Sequence, residues 1–105
     1  MTSIDSLVKE VLQSGERYRE FLRVPSLSAG VYVLPAGGTD PQSPHREPEV
    51  YHVVRGRARF RHGEQDRPVG PGDLLFVGAG ESHRFHAIEE ELVVLVVFGP
   101  AESPT

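Results

Sequence analysis

The chain has 105 residues, a formal charge of −4 at pH 7 and no cysteine. This length predicts one domain with a modest core. The lack of cysteine excludes disulfides, thiolate metal ligands and a cysteine nucleophile, and the acidic balance argues against broad nucleic-acid binding. The longest apolar run, residues 92–98, is too short to cross a bilayer, and the N-terminus lacks the basic start and apolar segment of a signal peptide. We therefore expect a cytoplasmic protein with no membrane or nucleic-acid partner.

One amphipathic helix is predicted near residues 4–13. Residues 2–5 resemble a capping box, and Ser14 and Gly15 end the pattern. The apolar positions follow at helical spacing: Ile4, Leu7, Val8, Val11 and Leu12. This apolar stripe must cover either the outside of a sheet or a partner subunit.

From Tyr18 the hydrophobic period changes to two, which is typical of strands. The first clear strand places Val31 and Val33 on one face, with Tyr32 and Leu34 on the other. Further strands are predicted at 49–54, 57–61, 67–69, 74–77, 84–87 and 92–98. Short strands separated by Gly and Pro turns indicate an antiparallel barrel or jelly roll over residues 18–99, followed by a frayed tail at 101–105. Residues 92–98 are apolar throughout, so both faces of that strand should be buried.

Two stretches carry glycines, histidines and a glutamate at fixed spacing. They run Gly37-x5-Ser43-x-His45-x3-Glu49-x6-Gly56 and Gly72-x5-Gly78-x-Gly80-x2-His83-x3-Ala87. Both resemble the motifs of the cupin superfamily, G-x5-H-x-H-x3-E-x6-G and G-x5-P-x-G-x2-H-x3-N, and the resemblance covers residues 27–98. Three positions depart from the pattern, where the family has His, Pro and Asn: Ser43, Gly78 and Ala87. The resemblance implies an all-β double-stranded β-helix, the jelly-roll barrel of cupins, with a short N-terminal helix.

The resemblance also implies a metal site. In a cupin barrel His45, Glu49 and His83 would point inward and form a set of two histidines and one carboxylate with open coordination positions. Such a set is associated with non-haem Fe(II) oxygenases, and Zn, Mn or Ni can use the same donors. We expect one divalent metal as cofactor.

The fourth ligand position is left open by the first motif. Ser43 replaces the first histidine, and a neutral hydroxyl is a poor ligand beside imidazole. Water could fill the position, or Pro44 could turn the amide oxygen of Gln42 inward; otherwise Gln42 is a solvent-facing loop residue. Tyr51 shares the face of Glu49 and is either a core residue or a hydrogen-bond partner of a metal ligand.

Other polar residues favour surface positions. Three histidines are interpreted as surface, interface or turn residues: His52, His62 and His86. An alternating basic strip is either a solvated outer face or a contact for an anionic substrate: Arg57, Arg59 and Arg61. Arg55 could instead reach the mouth of the barrel.

The resemblance implies a metal-dependent enzyme, dioxygenase-like in the first instance, acting on a small organic acid or phenolic; isomerases, decarboxylases and lyases share the fold. The alternatives are a non-catalytic small-molecule-binding module or sensor and, third, a storage or dimerisation scaffold. Specificity is expected from residues that line the barrel: Tyr51, Val53, Phe60, Phe76 and Phe85. The surplus of apolar faces predicts a homodimer.

Overall fold

One helix and eight strands form the part of the chain described by a computed structural model, residues 2–41 and 44–103. In chain order they are α1 Ile4–Ser14, β1 Tyr18–Val24, β2 Leu27–Leu34, β3 Glu49–Arg55, β4 Ala58–His62, β5 Gln65–Val69, β6 Leu74–Val77, β7 His83–His86 and β8 Leu92–Phe98. The strands form a five-stranded sheet in the order β1-β2-β8-β3-β6 and a three-stranded sheet in the order β5-β4-β7, with antiparallel pairing throughout. The predicted all-β jelly roll with an N-terminal helix is confirmed.

The core lies between the two sheets and draws on alternate residues of seven strands. Four of the residues predicted to line the barrel are fully or almost fully buried there: Tyr51, Val53, Phe60 and Phe85. Their rings pack against one another, with Phe60 and Phe85 centroids 4.8 Å apart and Tyr51 and Phe85 centroids 5.3 Å apart. These side chains fill the barrel interior instead of lining open space. The residues now expected to set specificity are those that line a cavity beside the candidate metal centre, described below.

Phe76 was predicted to line the barrel, and that prediction is wrong. Its cross-strand partner is Val50, which neighbours the inward-pointing Glu49. Directly opposed residues of an antiparallel pair lie on one face, and that face alternates along the strand. Val50 and Phe76 therefore point outward, and Phe76 is 63% exposed.

The outer face of the large sheet is covered by α1. Leu7, Val8 and Val11 pack against residues of β2 and β8 that point away from the barrel, among them Val31 and Val93. The apolar stripe therefore covers a sheet of the same chain. The capping box is built by Ser3 and Ser6, one residue later than residues 2–5 predicted, because the Ser3 side chain accepts the Ser6 backbone N–H at 3.1 Å. Within the described residues no helix is long and apolar enough to span a membrane.

Two motif positions are explained by backbone geometry. Gly56 has φ +96°, and a Cβ there would lie 2.3 Å from the Glu91 carbonyl oxygen, so only glycine fits. Ala87 has φ +48°, in the left-handed region where Asn is enriched and alanine is disfavoured. The asparagine of the cupin pattern suits this conformation, and Ala87 adopts the same backbone at some cost in strain.

Candidate metal centre

Three side chains converge at one end of the barrel: His45 in the loop before β3, Glu49 at the start of β3 and His83 at the start of β7. The Nε2 atom of His45 lies 3.6 Å from Glu49 Oε2, and that of His83 lies 3.7 Å from Glu49 Oε1. One potential ligand atom from each residue lies within 4.8 Å of the other two. The three predicted ligands are therefore brought together.

The turn of the second motif holds both histidines in place. The Gly80 backbone N–H donates to the His45 carbonyl at 2.7 Å, which ties the loop before β3 to this turn. In the same turn His83 Nδ1 lies 2.9 Å from the Glu81 carbonyl oxygen. A carbonyl can only accept, so Nδ1 carries the proton and Nε2 of neutral His83 keeps its lone pair.

Tyr51 is completely buried beside this lone pair. Its hydroxyl lies 2.9 Å from His83 Nε2 and donates to it, because the proton of neutral His83 is already on Nδ1. Tyr51 thus sits where a hydrogen-bond partner of a metal ligand was predicted. Its role toward a bound ion stays a prediction.

Glu102 orients His45 from the opposite side. Its Oε2 lies 3.2 Å from His45 Nδ1, and the Glu102 backbone N–H donates to Ser28 Oγ at 2.8 Å. A carboxylate on Nδ1 directs Nε2 toward Glu49, and a carboxylate on the second ring nitrogen is common among metal-binding histidines. Residues 101–103 belong to the segment predicted to fray, and strand periodicity carries no signal for Glu102 because β8 ends at Phe98.

The Glu49 carboxylate is the feature that fits a cation. Its side chain is fully buried, and neither oxygen accepts a hydrogen bond among the described residues. Burial raises its pKa, although Tyr51 and the two imidazoles act in the opposite direction. A buried carboxylate that faces two imidazole nitrogens at 3.6 and 3.7 Å is a costly arrangement that a divalent ion would stabilise.

A cavity of about 150 Å³ adjoins the candidate metal centre. Its lining comes from β1, β2, β8, the loop before β3 and the segment after β8: Tyr18, Tyr32, His45, Val96, Phe98 and Glu102. His45 belongs both to this lining and to the ligand cluster, so a molecule in the cavity would lie beside the proposed ion. The sequence pattern placed Tyr32 on the same face as Leu34 but did not single out Tyr18 or Glu102.

The pH dependence of metal binding should reveal the His45–Glu102 pair. The Glu102 carboxylate raises the pKa of His45, and imidazole must lose its proton to bind a metal. Zinc affinity of the wild type should therefore fall on acidification beginning above about pH 6.5, the ordinary histidine pKa. Glu102→Gln keeps an acceptor for Nδ1 but removes the charge, so its loss of affinity should begin at lower pH. Competition titrations across pH 5.5–8 would measure both curves.

The control for this experiment is Glu10→Gln, which makes the same charge change at an exposed helix position. Its pH curve should match the wild type. At pH 8, Glu102→Ala should weaken zinc binding by roughly 10- to 100-fold, the usual effect of removing such a partner. Superimposable curves for wild type and Glu102→Gln would contradict the role assigned to Glu102.

The other residues considered from the sequence lie away from the cluster or outside the description. Gln42 and Ser43 fall outside the described residues, so the fourth ligand position stays a prediction.

Arg55 does not reach the barrel mouth; its guanidinium lies 3.5 Å from Asp5 of α1. Three residues of the small sheet meet one carboxylate, that of Asp66: Arg59, Arg61 and His86. This supports a solvated outer face for the basic strip. His62 is partly exposed and contacts Glu81 at 2.9 Å, and His52 is partly buried on the outer face.

Comparisons with known proteins agree with this architecture. An uncharacterized protein of Streptomyces coelicolor is 46% identical over 100 residues, which is 95% of each chain. The dimethylsulfoniopropionate lyase DddQ of Ruegeria pomeroyi is 34% identical over 74 residues, 70% of this chain but 37% of the lyase. Its crystal structure superposes with a TM-score of 0.70 at 27% identity, covering 83% of this chain and 49% of the lyase chain. The present chain therefore corresponds to less than half of the lyase.

A second solved structure matches over nearly the whole length. The protein TT1209 of Thermus thermophilus superposes with a TM-score of 0.74 at 20% identity, covering 96% of this chain and 97% of that one. At this identity the likeness shows the fold alone. Residues 30–98 match the family described as Cupin domain, which is well over half of the sequence. With its jelly-roll topology and this match, the chain belongs to the cupin family.

Proposed function

We propose that this protein is a metal-dependent enzyme that acts on a small molecule, with a divalent ion held by His45, Glu49 and His83. The observation that carries the proposal is the buried carboxylate of Glu49, which lacks a hydrogen bond among the described residues and faces two imidazole nitrogens at 3.6 and 3.7 Å. A purely structural role would favour a neutral or apolar residue at such a position. The adjoining cavity supports a small-molecule ligand.

When bound, a divalent ion would supply Lewis acidity, and Fe(II) would add reactivity toward O2. The chain itself would hold and orient the ligands. Glu102 fixes the tautomer of His45, and the Glu81 carbonyl fixes that of His83. Phe60 and Phe85 pack against the fully buried Tyr51 ring and exclude water from the inner side of the cluster. These contacts support a preorganised site for an ion that keeps open positions toward the cavity.

Two reaction classes fit this site. The set of two histidines and one carboxylate favours a dioxygenase acting on a small organic acid or phenolic. The similarity to the lyase DddQ favours a second candidate, elimination from a small substrate without O2. We place the dioxygenase first because it follows from the ligand set of this chain, whereas the lyase is matched over only part of its length.

The test begins with elemental analysis of the purified protein, followed by anaerobic loading with Fe(II) or Zn. Oxygen uptake with small phenolics and keto acids would support the dioxygenase. Turnover of dimethylsulfoniopropionate without O2 by the metal-loaded protein would support the lyase. A protein that takes up neither ion, and whose melting temperature metal leaves unchanged, would be a binding module or sensor. The same titrations on Gln42→Ala and Ser43→His would show whether Gln42 completes the ligand shell.

A homodimer is the assembly we propose, on grounds that differ from those in the sequence. Leu7, Val8 and Val11 of the helix stripe are buried against the sheet of the same chain, so these residues no longer support a dimer, and Leu12 alone of the stripe is exposed. On the outer face of β6, the last strand of the five-stranded sheet, Leu74 is 72% exposed and Phe76 63% exposed. Exposed apolar edge strands favour pairing with a second copy. Light scattering at micromolar concentration should give a dimer mass for the wild type and a monomer mass for Phe76→Lys. A monomeric wild type would contradict the proposal.

A further inference from the structure

The hydroxyl of Tyr18 is buried and has no hydrogen-bond partner in the described part of the chain. It is shielded from solvent and makes no hydrogen bond to any residue of 2–41 or 44–103. Buried hydroxyls nearly always find a partner, because burying one without it is costly. Tyr18 lines the cavity beside the candidate metal centre, and a ligand in that cavity would supply the missing partner.

The hydroxyl of the neighbouring tyrosine, Tyr32, does have a hydrogen-bond partner within the protein. Tyr18 and Tyr32 are cross-strand partners in β1 and β2, with ring centroids 6.5 Å apart, and both line the cavity. The Tyr32 hydroxyl donates to Asp40 at 2.7 Å and is therefore satisfied within the protein. Of the two phenols, Tyr18 is the one left for a ligand.

The fold makes room for the Tyr18 ring. An ideal Cβ at position 30 would lie 2.4 Å from both Cζ and the hydroxyl oxygen of Tyr18, so the ring lies directly across Gly30 of β2. Any larger residue there would displace the phenol. The missing side chain of Gly30 thus leaves room for the hydroxyl end of Tyr18.

The charge around the cavity narrows the class of ligand. Its lining contains the Glu102 carboxylate and, among the described residues, neither lysine nor arginine. Burial, with the nearby Glu102 and Glu20 carboxylates, raises the pKa of Tyr18, so its phenol keeps its proton and can donate. Glu102 repels an anion. An uncharged oxygen group satisfies Tyr18, and a hydroxyl on the same molecule could donate to Glu102.

We propose that Tyr18 binds the ligand of this cavity, donating a hydrogen bond to the oxygen of a small uncharged hydroxyl- or carbonyl-bearing molecule. A volume of about 150 Å³ is smaller than the roughly 300–1,000 Å³ usual for sites of drug-sized ligands, so it suits a small molecule. The inference deepens the proposed function and rests on it only in that the other end of the ligand would face the ion. At this end of the cavity it disfavours the carboxylate of an organic acid and favours an uncharged hydroxyl or carbonyl group of the substrate.

The test uses Tyr18→Phe and Tyr32→Phe, which each remove one hydroxyl and keep the ring. The probes are hydroxyacetone and glycolate, which have similar size and differ in charge, titrated into metal-free and zinc-loaded protein by NMR. Tyr18→Phe should weaken hydroxyacetone binding roughly 3- to 10-fold, the effect of one neutral hydrogen bond, without lowering the melting temperature. Tyr32→Phe should lower the melting temperature, because it removes the buried hydrogen bond from the Tyr32 hydroxyl to Asp40.

Three results would overturn the inference. One is a fall in melting temperature for Tyr18→Phe equal to that for Tyr32→Phe, since the hydroxyl would then be structural. Another is hydroxyacetone binding that is absent from the wild type or unchanged in Tyr18→Phe. The third is tighter binding of glycolate than of hydroxyacetone to the metal-free protein. If zinc does not bind but the metal-free protein binds hydroxyacetone through Tyr18, the inference stands and the proposed metal enzyme is wrong.

Discussion

Glu49→Gln is expected to weaken divalent-metal binding by more than about 100-fold while making the metal-free protein more stable. Removing a residue that only hydrogen-bonds to a metal ligand lowers metal affinity roughly 10- to 100-fold. Glu49 should matter more, because it is itself a proposed ligand and supplies the only charge among the three. In the metal-free protein its carboxylate is buried without a hydrogen bond from the described residues, and burial raises its pKa. Glutamine removes that buried charge, and each kcal/mol gained should raise the melting temperature by about 4–8 °C in a domain near this size.

The effect on stability has a defined pH dependence. Because the pKa of Glu49 is higher in the folded than in the unfolded chain, the folded state holds its proton longer. Stability of the metal-free wild type should therefore fall as pH rises from the ordinary glutamate range through the raised pKa, and Glu49→Gln should lack that fall. Thermal melts across pH 4–8 in the presence of a chelator measure it.

Isothermal titration decides the metal-binding half of this prediction. Ser43→Ala should lose less affinity than Glu49→Gln, because a serine hydroxyl contributes little as a ligand. Glu10→Gln serves again as the exposed control for charge, with affinity and melting temperature equal to the wild type. An unchanged affinity in Glu49→Gln would mean that the cluster is not a metal site.

Asp40→Ala should cause the second large loss, this time in stability. The Asp40 side chain is buried in the loop after β2, where Oδ1 accepts the Tyr32 hydroxyl at 2.7 Å and Oδ2 accepts the Phe85 backbone N–H at 2.9 Å. Alanine leaves both donors buried without an acceptor, at about 1–3 kcal/mol each. A total loss of roughly 2–6 kcal/mol is a large part of the roughly 5–15 kcal/mol by which small domains are stable. Urea unfolding measures it.

A double-mutant cycle makes the Asp40 prediction specific. Tyr32→Phe should destabilise the wild type but not Asp40→Ala, since the acceptor of the hydroxyl has already gone. Asp40→Asn keeps one carbonyl oxygen and should lie between wild type and alanine. A loss below about 1 kcal/mol in Asp40→Ala would show that the two hydrogen bonds contribute little. Because Phe85 follows His83 by two residues in β7, zinc affinity should also fall.

The spacing of the two motifs that resemble those of cupins predicted His45, Glu49 and His83 as ligand candidates. The structure brings them to one end of the barrel, where the Gly80 N–H of the second motif donates to the His45 carbonyl of the first. The prediction failed for Phe76, because the register of β6 against β3 decided which face it occupies. A prediction from one strand does not contain that register, because pairing depends on a second segment.

The sequence by itself determined the barrel, the helix that covers it and the spacing of His45, Glu49 and His83, since periodicity and turn residues act over a few neighbouring positions. Only the tertiary structure decided what surrounds the ligands. Glu102 meets His45 across 57 positions of the chain, where no periodic signal connects them. Tyr18 reaches the cavity because β1 pairs with β2 over a glycine, and the rings predicted to line open space pack together and fill the interior. Close packing excludes empty volume from most of a barrel, and where the remaining cavity lies depends on all the strands at once.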